Sequence, residues 1–71
     1  MEPFSMTKGT EVKVFSLEDN DATIVVATTD TAQPERPALM QYEQCESDEE
    51  SAAVVQKFVF DLQRQGWTVQ D

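Results

Sequence analysis

The chain has 71 residues, with fourteen Asp and Glu against five Lys and Arg, no His, and a formal net charge of −9. Its length fits one domain with a modest core, and a hydrophobic content of 39% argues against a wholly disordered chain. The negative charge argues against nucleic acid or an anionic membrane as a direct ligand, because their phosphates would repel it. A single Cys excludes an internal disulfide, and no stretch approaches the length of an apolar membrane span. We therefore expect a soluble, cytoplasmic protein.

Residues 1–9 have no periodic apolar pattern, so we expect a flexible leader before a single domain over residues 10–71. Residues 10–17, TEVKVFSL, are rich in β-branched and aromatic side chains and predict a first strand. The apolar residues of this strand change face after Val14. That change indicates either a bulge or apolar cover on both sides of the sheet.

The middle of the chain predicts a hairpin and a third strand. Residues 18–21, EDND, predict a turn because Asp and Asn side chains bond nearby backbone donors, and residues 22–29 predict the returning strand. Residues 30–37 contain two prolines, which cannot donate to a strand ladder, and predict a connector. Residues 38–44 alternate apolar and polar side chains, as a strand with one buried face does.

The clearest local signal is the sequence SDEE at 47–50, a capping box that predicts a helix over residues 48–65. Gly66 is the expected helix stop, and residues 67–70 predict a short final strand with Trp67 and Val69 inward. The helix carries an apolar stripe at helical spacing, which is expected to face the sheet. This stripe consists of Ala52, Val55, Phe58, Val59 and Leu62.

These elements define an α+β fold in the order β-β-β-α-β. We expect a three-stranded antiparallel meander with one helix packed on a face and a short C-terminal fourth strand. In such a meander the 18–21 turn and the helix start lie at the same end of the sheet. Most of the acidic residues therefore gather at one end, and these are Glu18, Asp19, Asp21, Glu43, Glu46, Asp48, Glu49 and Glu50.

The gathered carboxylates support a binding function. A concentrated negative pole accelerates association with a basic protein surface, so we expect an acidic adaptor, or an inhibitor that imitates nucleic-acid phosphates in the basic groove of another protein. The same acids also have a structural explanation, because turns favour Asp and Asn and helix starts favour acidic residues. Adaptation to a salty cytoplasm is a third interpretation of the charge.

Phe60 suggests a different function. It points about 200° away from Phe58 on a helical wheel and so lies off the main apolar stripe. Either it packs in a corner against Phe4 and Trp67, or it forms a second interface, extended by Val54, for a homodimer or a larger assembly.

The chain lacks the residues of common catalytic sites. Cys45 precedes a helix, but neighbouring acids disfavour its thiolate and the chain has no His to act as a base. No Gly-rich phosphate loop or zinc-ligand spacing is present. We therefore expect neither an enzyme nor a cofactor or metal site.

Overall fold

The computed structural model describes residues 2–70, which form a five-stranded antiparallel sheet with one helix on a face. The strand order across the sheet is β4-β3-β2-β1-β5. The α+β class and the antiparallel sheet agree with the sequence-based expectation, whereas the strand number and order differ from it. The elements are β1 (Phe4–Lys8), β2 (Glu11–Glu18), β3 (Thr23–Asp30), β4 (Leu39–Gln44), α1 (Asp48–Arg64) and β5 (Thr68–Gln70).

The additional strand is β1, which lies where the sequence predicted a flexible leader. It pairs with β2 on one side and with β5 on the other. Met6 is completely buried, and the ring of Phe4 stacks on Phe15 with centroids 4.9 Å apart. The prediction failed because β1 is short and its outward residues, Ser and Thr, are common in loops. Met1, the first residue of the expected leader, lies outside the described residues.

The four strands β1 to β4 form a meander in which each pairs with the next. The β2–β3 register runs without interruption from the pair Glu11 and Asp30 to the pair Glu18 and Thr23, so β2 contains no bulge. The change of face after Val14 instead reflects apolar residues on both sides of the sheet. The expected strand and turn boundaries in this region are correct to within one residue.

The core lies between α1 and one face of the sheet. Trp67 is buried, as expected, but Val69 is 41% exposed, because β5 is a short edge strand that α1 covers incompletely. The helix crosses the sheet from β3 to β5 and leaves β4 exposed on both faces. The buried core cluster consists of Met6, Phe15, Ile24, Val26, Val55 and Trp67.

The helix begins and ends where its capping residues predict. The amide of Glu50 donates to the Ser47 side chain at the start, and Gly66 adopts φ +101° just after the end. One position of the expected stripe is wrong, because Ala52 is exposed and Ser51 is buried in its place. Ser51 lies four residues before Val55 and therefore on the same side of the helix.

The face of the sheet opposite α1 is called the open sheet face. Its apolar residues include Val14, Val25 and Met40, and Glu18 at its margin is the one charged residue among the strand positions on this side. The alternation of each strand places on it Ser5, Thr7, Val12, Val14, Ser16, Glu18, Thr23, Val25, Ala27, Thr29, Met40, Tyr42, Gln44, Thr68 and Gln70.

The burial of Met6 distinguishes an integral strand from a leader. We expect Met6→Ala to lower the free energy of unfolding by about 2–5 kcal/mol, because it leaves a cavity against Phe15 and its neighbours. Ser5→Ala, on the other face of the same strand, should change it by less than about 0.5 kcal/mol. Urea unfolding measures both values. Equal, small effects would mean that β1 is not part of the cooperative fold.

Candidate functional site

A small hydrogen-bond cluster joins the β2–β3 turn to the start of α1. The buried hydroxyl of Ser51 lies within hydrogen-bonding distance of the backbone carbonyls of Asp21 and Asp48. Beside it, the amide of Cys45 donates to the carbonyl of Ala22 at 2.7 Å. These contacts place the turn and the helix start at the same end of the molecule.

The turn is built from residues that tolerate a left-handed backbone. Asp19, Asn20 and Asp21 have φ angles of 54°, 56° and 65°. Asp and Asn adopt this region more readily than other non-glycine residues do, which explains the local sequence. The hydroxyl of Thr23 donates to the carboxylate of Asp19 at 3.0 Å and holds that side chain against the turn.

The helix start uses its acids differently from the expected capping box. Ser47 accepts a hydrogen bond from the amide of Glu50, as expected. The carboxylate of Glu50, however, accepts from the amide of Glu46 at 3.0 Å, one residue before the expected cap position. Asp48, Glu49 and Glu50 all lie in the first turn of the helix, where the helix dipole favours negative charge.

The eight acidic residues singled out in the sequence lie at the end of β2, in the turn, at the end of β4 and at the helix start. Asp21 is half-buried and the other seven are exposed. We call this set the acidic pole. It consists of Glu18, Asp19, Asp21, Glu43, Glu46, Asp48, Glu49 and Glu50.

Sequence reasoning missed one nearby acid, Glu2. It precedes β1, whose first residue Phe4 pairs with Phe15 near the turn end of β2. If residues 4–8 had been predicted as a strand paired with β2, Glu2 would have been expected near the acidic pole. Because residues 1–9 were predicted to be a flexible leader, no position was expected for Glu2.

Several basic residues lie toward the opposite end. Lys8 ends β1, and its side chain lies close to Gly66 at the end of the helix. Arg64 is in the last turn of α1, and Arg36 is in the connector that leaves the far end of β3. Lys13 lies between the ends, where its ammonium bonds the Thr28 hydroxyl at 3.0 Å and sits 5.1 Å from the Trp67 ring centroid. Glu11, Asp30 and Glu35 lie at this end as well. The basic residues offset these acids, so the excess negative charge is concentrated at the acidic pole.

The carboxylates of the acidic pole do not point toward a common metal-binding position. Within residues 2–70, no three Cys, Asp or Glu side chains come together in an arrangement that would hold an ion. The carboxylates are spread over a surface, which suits contact with an extended partner better than coordination of a single cation.

Cys45 lies at the edge of the acidic pole and is half-buried. Burial raises the pKa of its thiol, and the negative charges of Glu50 and Glu43 raise it further. A raised pKa leaves little thiolate at neutral pH, so the cysteine is a poor nucleophile.

A groove of about 390 Å³ lies between α1 and the β3–β4 part of the sheet. Its lining includes the core side chains Phe15 and Ile24 from the sheet and the half-buried Phe58 from α1, and Glu43 and Asp61 are among its polar lining residues. Sequence reasoning did not reveal this groove, because it depends on the diagonal course of the helix.

The two residues proposed for a second interface are placed differently from each other. Phe60 is 59% exposed, and the guanidinium of Arg64 lies 5.8 Å from its ring centroid. It does not join the expected corner with Phe4 and Trp67. Val54 packs against the core and does not extend the Phe60 surface.

Comparisons with protein-family models, with characterised proteins and with solved structures gave no match. Among the described residues, no helix has the length and apolar character needed to cross a membrane.

The Cys45 thiol reports the local field of the acidic pole. Only the thiolate is alkylated, so its reaction with iodoacetamide should inflect at a higher pH than that of an ordinary cysteine. Removing the larger of the two charge contributions with Glu50→Gln should shift this inflection to lower pH and accelerate alkylation near pH 8. The control is Glu49→Gln, which removes an equal charge that does not contribute to the Cys45 shift. Identical profiles for all three proteins would contradict this electrostatic account.

Proposed function

We propose that this protein is a non-catalytic binding module that docks its acidic pole on a basic protein surface. The observation that supports this proposal most directly is the hydrogen bond between Ser51 and the turn. It brings the acidic residues of the turn next to those of the helix start. Carboxylates at one end of a molecule produce a strong negative potential there, which attracts a basic partner to that end. The same carboxylates spread evenly over the surface would favour no particular side.

The exposure of the acidic pole supports docking. Seven of its eight residues are exposed, so their carboxylates can meet a partner without unfolding any element. The turn and the capped helix start are fixed by local hydrogen bonds, which reduces the entropy lost on binding. A partner rich in Arg would suit these carboxylates, since guanidinium groups form paired hydrogen bonds with them.

The position of the cations supports a defined orientation. Lys8, Arg36 and Arg64 lie away from the acidic pole and offset the acids at their own end. The excess negative charge is therefore concentrated at the acidic pole, which gives the molecule an electric dipole along its strands. Such a dipole would turn the acidic pole toward a basic surface before contact. The basic groove of a nucleic-acid-binding protein is one surface of this kind, and occupation of that groove would make the module an inhibitor.

The test compares two variants of equal net charge. In the pole variant, Glu18 and Glu49 are changed to Lys; in the control, Glu11 and Glu35, which lie toward the other end, are changed to Lys. Each variant has a net charge of −9 + 4 = −5. Binding of a fluorescent oligoarginine peptide is followed by anisotropy over a series of salt concentrations.

We expect the pole variant to lose about ten-fold or more in affinity at low salt, and the control to lose much less. Affinity should fall as salt is added, because screening weakens the attraction. Equal losses in the two variants would mean that binding follows net charge alone, and the docking proposal would be rejected. Circular dichroism of both variants checks that the fold is retained.

Self-association through Phe60 is the second proposal, and its support is narrower. The ring is 59% exposed, which favours a contact, but Val54 faces the core and leaves Phe60 without that apolar neighbour. A single aromatic side chain buries far less area than a stable interface requires. We therefore regard the acidic pole as the better supported binding site and Phe60 as the less supported one.

A further inference from the structure

We propose that the open sheet face is a self-association surface on which a second copy of this chain packs, sheet face against sheet face. This inference rests on the distribution of charge between the two sides of the sheet. It does not depend on the proposed docking of the acidic pole.

The open sheet face is almost free of charge. Glu18, at its margin beside the turn, is its one charged strand residue. The side that packs against α1 carries more charges, namely Lys8, Glu11, Lys13, Asp30 and Glu43. A sheet face that meets water usually carries the polar and charged residues, so this distribution is the reverse of the usual one.

The same face presents exposed apolar side chains in adjacent strands. Val14, Ala27 and Met40 are cross-strand neighbours, and Val14 and Met40 are 41% and 45% exposed. Tyr42, opposite Val25, is 63% exposed. Val25 itself is only 4% exposed, so the exposed apolar band consists of Val14, Met40 and Tyr42, with the half-buried Ala27 between Val14 and Met40. Adjacent exposed apolar side chains mark an interaction surface more than scattered single residues would.

Charge identifies a second copy as the occupant. A basic partner would gain nothing from a neutral face, because complementarity requires carboxylates to meet it. Two copies of a chain with net charge −9 repel each other, and contact through the open sheet face keeps most of their carboxylates out of the interface. The neutral apolar band of one copy then meets an identical band, as a two-fold interface requires.

The area is sufficient for a specific contact. Five strands at about 4.8 Å spacing, with an average length of roughly 20 Å, give a face on the order of 500 Å². Two such faces bury about 1,000 Å² in total, which is the lower limit for a specific interface. Sheets that pack face to face lie about 10 Å apart, with side chains from both faces filling the gap.

Repulsion also selects the arrangement. With a two-fold axis along the strands, both acidic poles would lie at the same end of the dimer. With the axis across the strands, they lie at opposite ends, where their mutual repulsion is smaller. We therefore infer the second arrangement, which leaves an acidic pole accessible at each end.

Sedimentation equilibrium over a range of protein concentrations tests the proposal with two adjacent residues of β4. Met40→Lys places a charge on the open sheet face, whereas Leu39→Lys places the same charge on the helix side of the same strand, where Leu39 is 63% exposed. Both variants reduce the net charge to −8, so any difference between them comes from the face and not from overall repulsion.

We expect wild type and Leu39→Lys to form dimers, and Met40→Lys to weaken the dimer by about ten-fold or more, because its lysines would be desolvated without a partner. Added salt should strengthen the dimer by screening the repulsion, whereas it should weaken docking of the acidic pole. The two proposals can therefore fail separately.

Three results would overturn the inference. The first is a wild-type protein that stays monomeric at every concentration and salt level. The second is a dimer that tolerates Met40→Lys as well as it tolerates Leu39→Lys. The third is a dimer that Phe60→Asp dissociates while Met40→Lys does not, since that would assign the contact to the helix. Far-UV circular dichroism shows that each variant is folded before its mass is interpreted.

Discussion

The hydroxyl of Ser51 joins parts of the chain that are distant in sequence. It donates toward the carbonyl of Asp21, thirty residues earlier, from a fully buried position at the start of α1. Asp21 is half-buried, and a hydrogen bond of this kind contributes about 0.5–1.5 kcal/mol, which matters in a domain this small. The contact holds the start of α1, and with it the first-turn acids, beside the turn.

Two surfaces of opposite character follow from this arrangement. The acidic pole concentrates exposed carboxylates at one end, and the open sheet face is nearly neutral along its whole length. Keeping the carboxylates apart from the exposed apolar side chains favours the folded state of so acidic a chain. The carboxylates stay hydrated, and the apolar side chains contact one another. The two proposed contacts share only the margin beside the turn, where Glu18 belongs to both surfaces and the Asp19 carboxylate accepts a hydrogen bond from Thr23. They respond to salt in opposite directions, so both can operate in one molecule.

Local sequence signals predicted the hairpin, the connector and the helix well. The turn acids, the Ser47 cap and Gly66 each specify a backbone conformation through their own chemistry, so their positions follow from short stretches. The same signals indicated that the turn and the helix start share an end, because a meander of three strands fixes the direction of each element.

Long-range contacts account for what the sequence did not reveal. Residues 4–7 alternate apolar and polar side chains, but four residues are a weak strand signal. The strand β1 depends on its pairing with β2 and with β5 near the C-terminus. The inward position of Ser51 depends on an acceptor in a distant turn, and polar residues are not normally assigned to a core stripe. The neutral open sheet face becomes visible only when the register of all five strands is known.

The contact between the turn and the helix start can be measured directly by nuclear Overhauser spectroscopy of the labelled protein. If the helix start lies against the turn, the spectrum contains cross-peaks between protons of Ser51 and those of Asp21 and Ala22, at both low salt and about 0.15 M salt. Absence of these cross-peaks in a folded sample, with the helix start close to other residues instead, would contradict this placement, because the acidic segments would then no longer form a single surface.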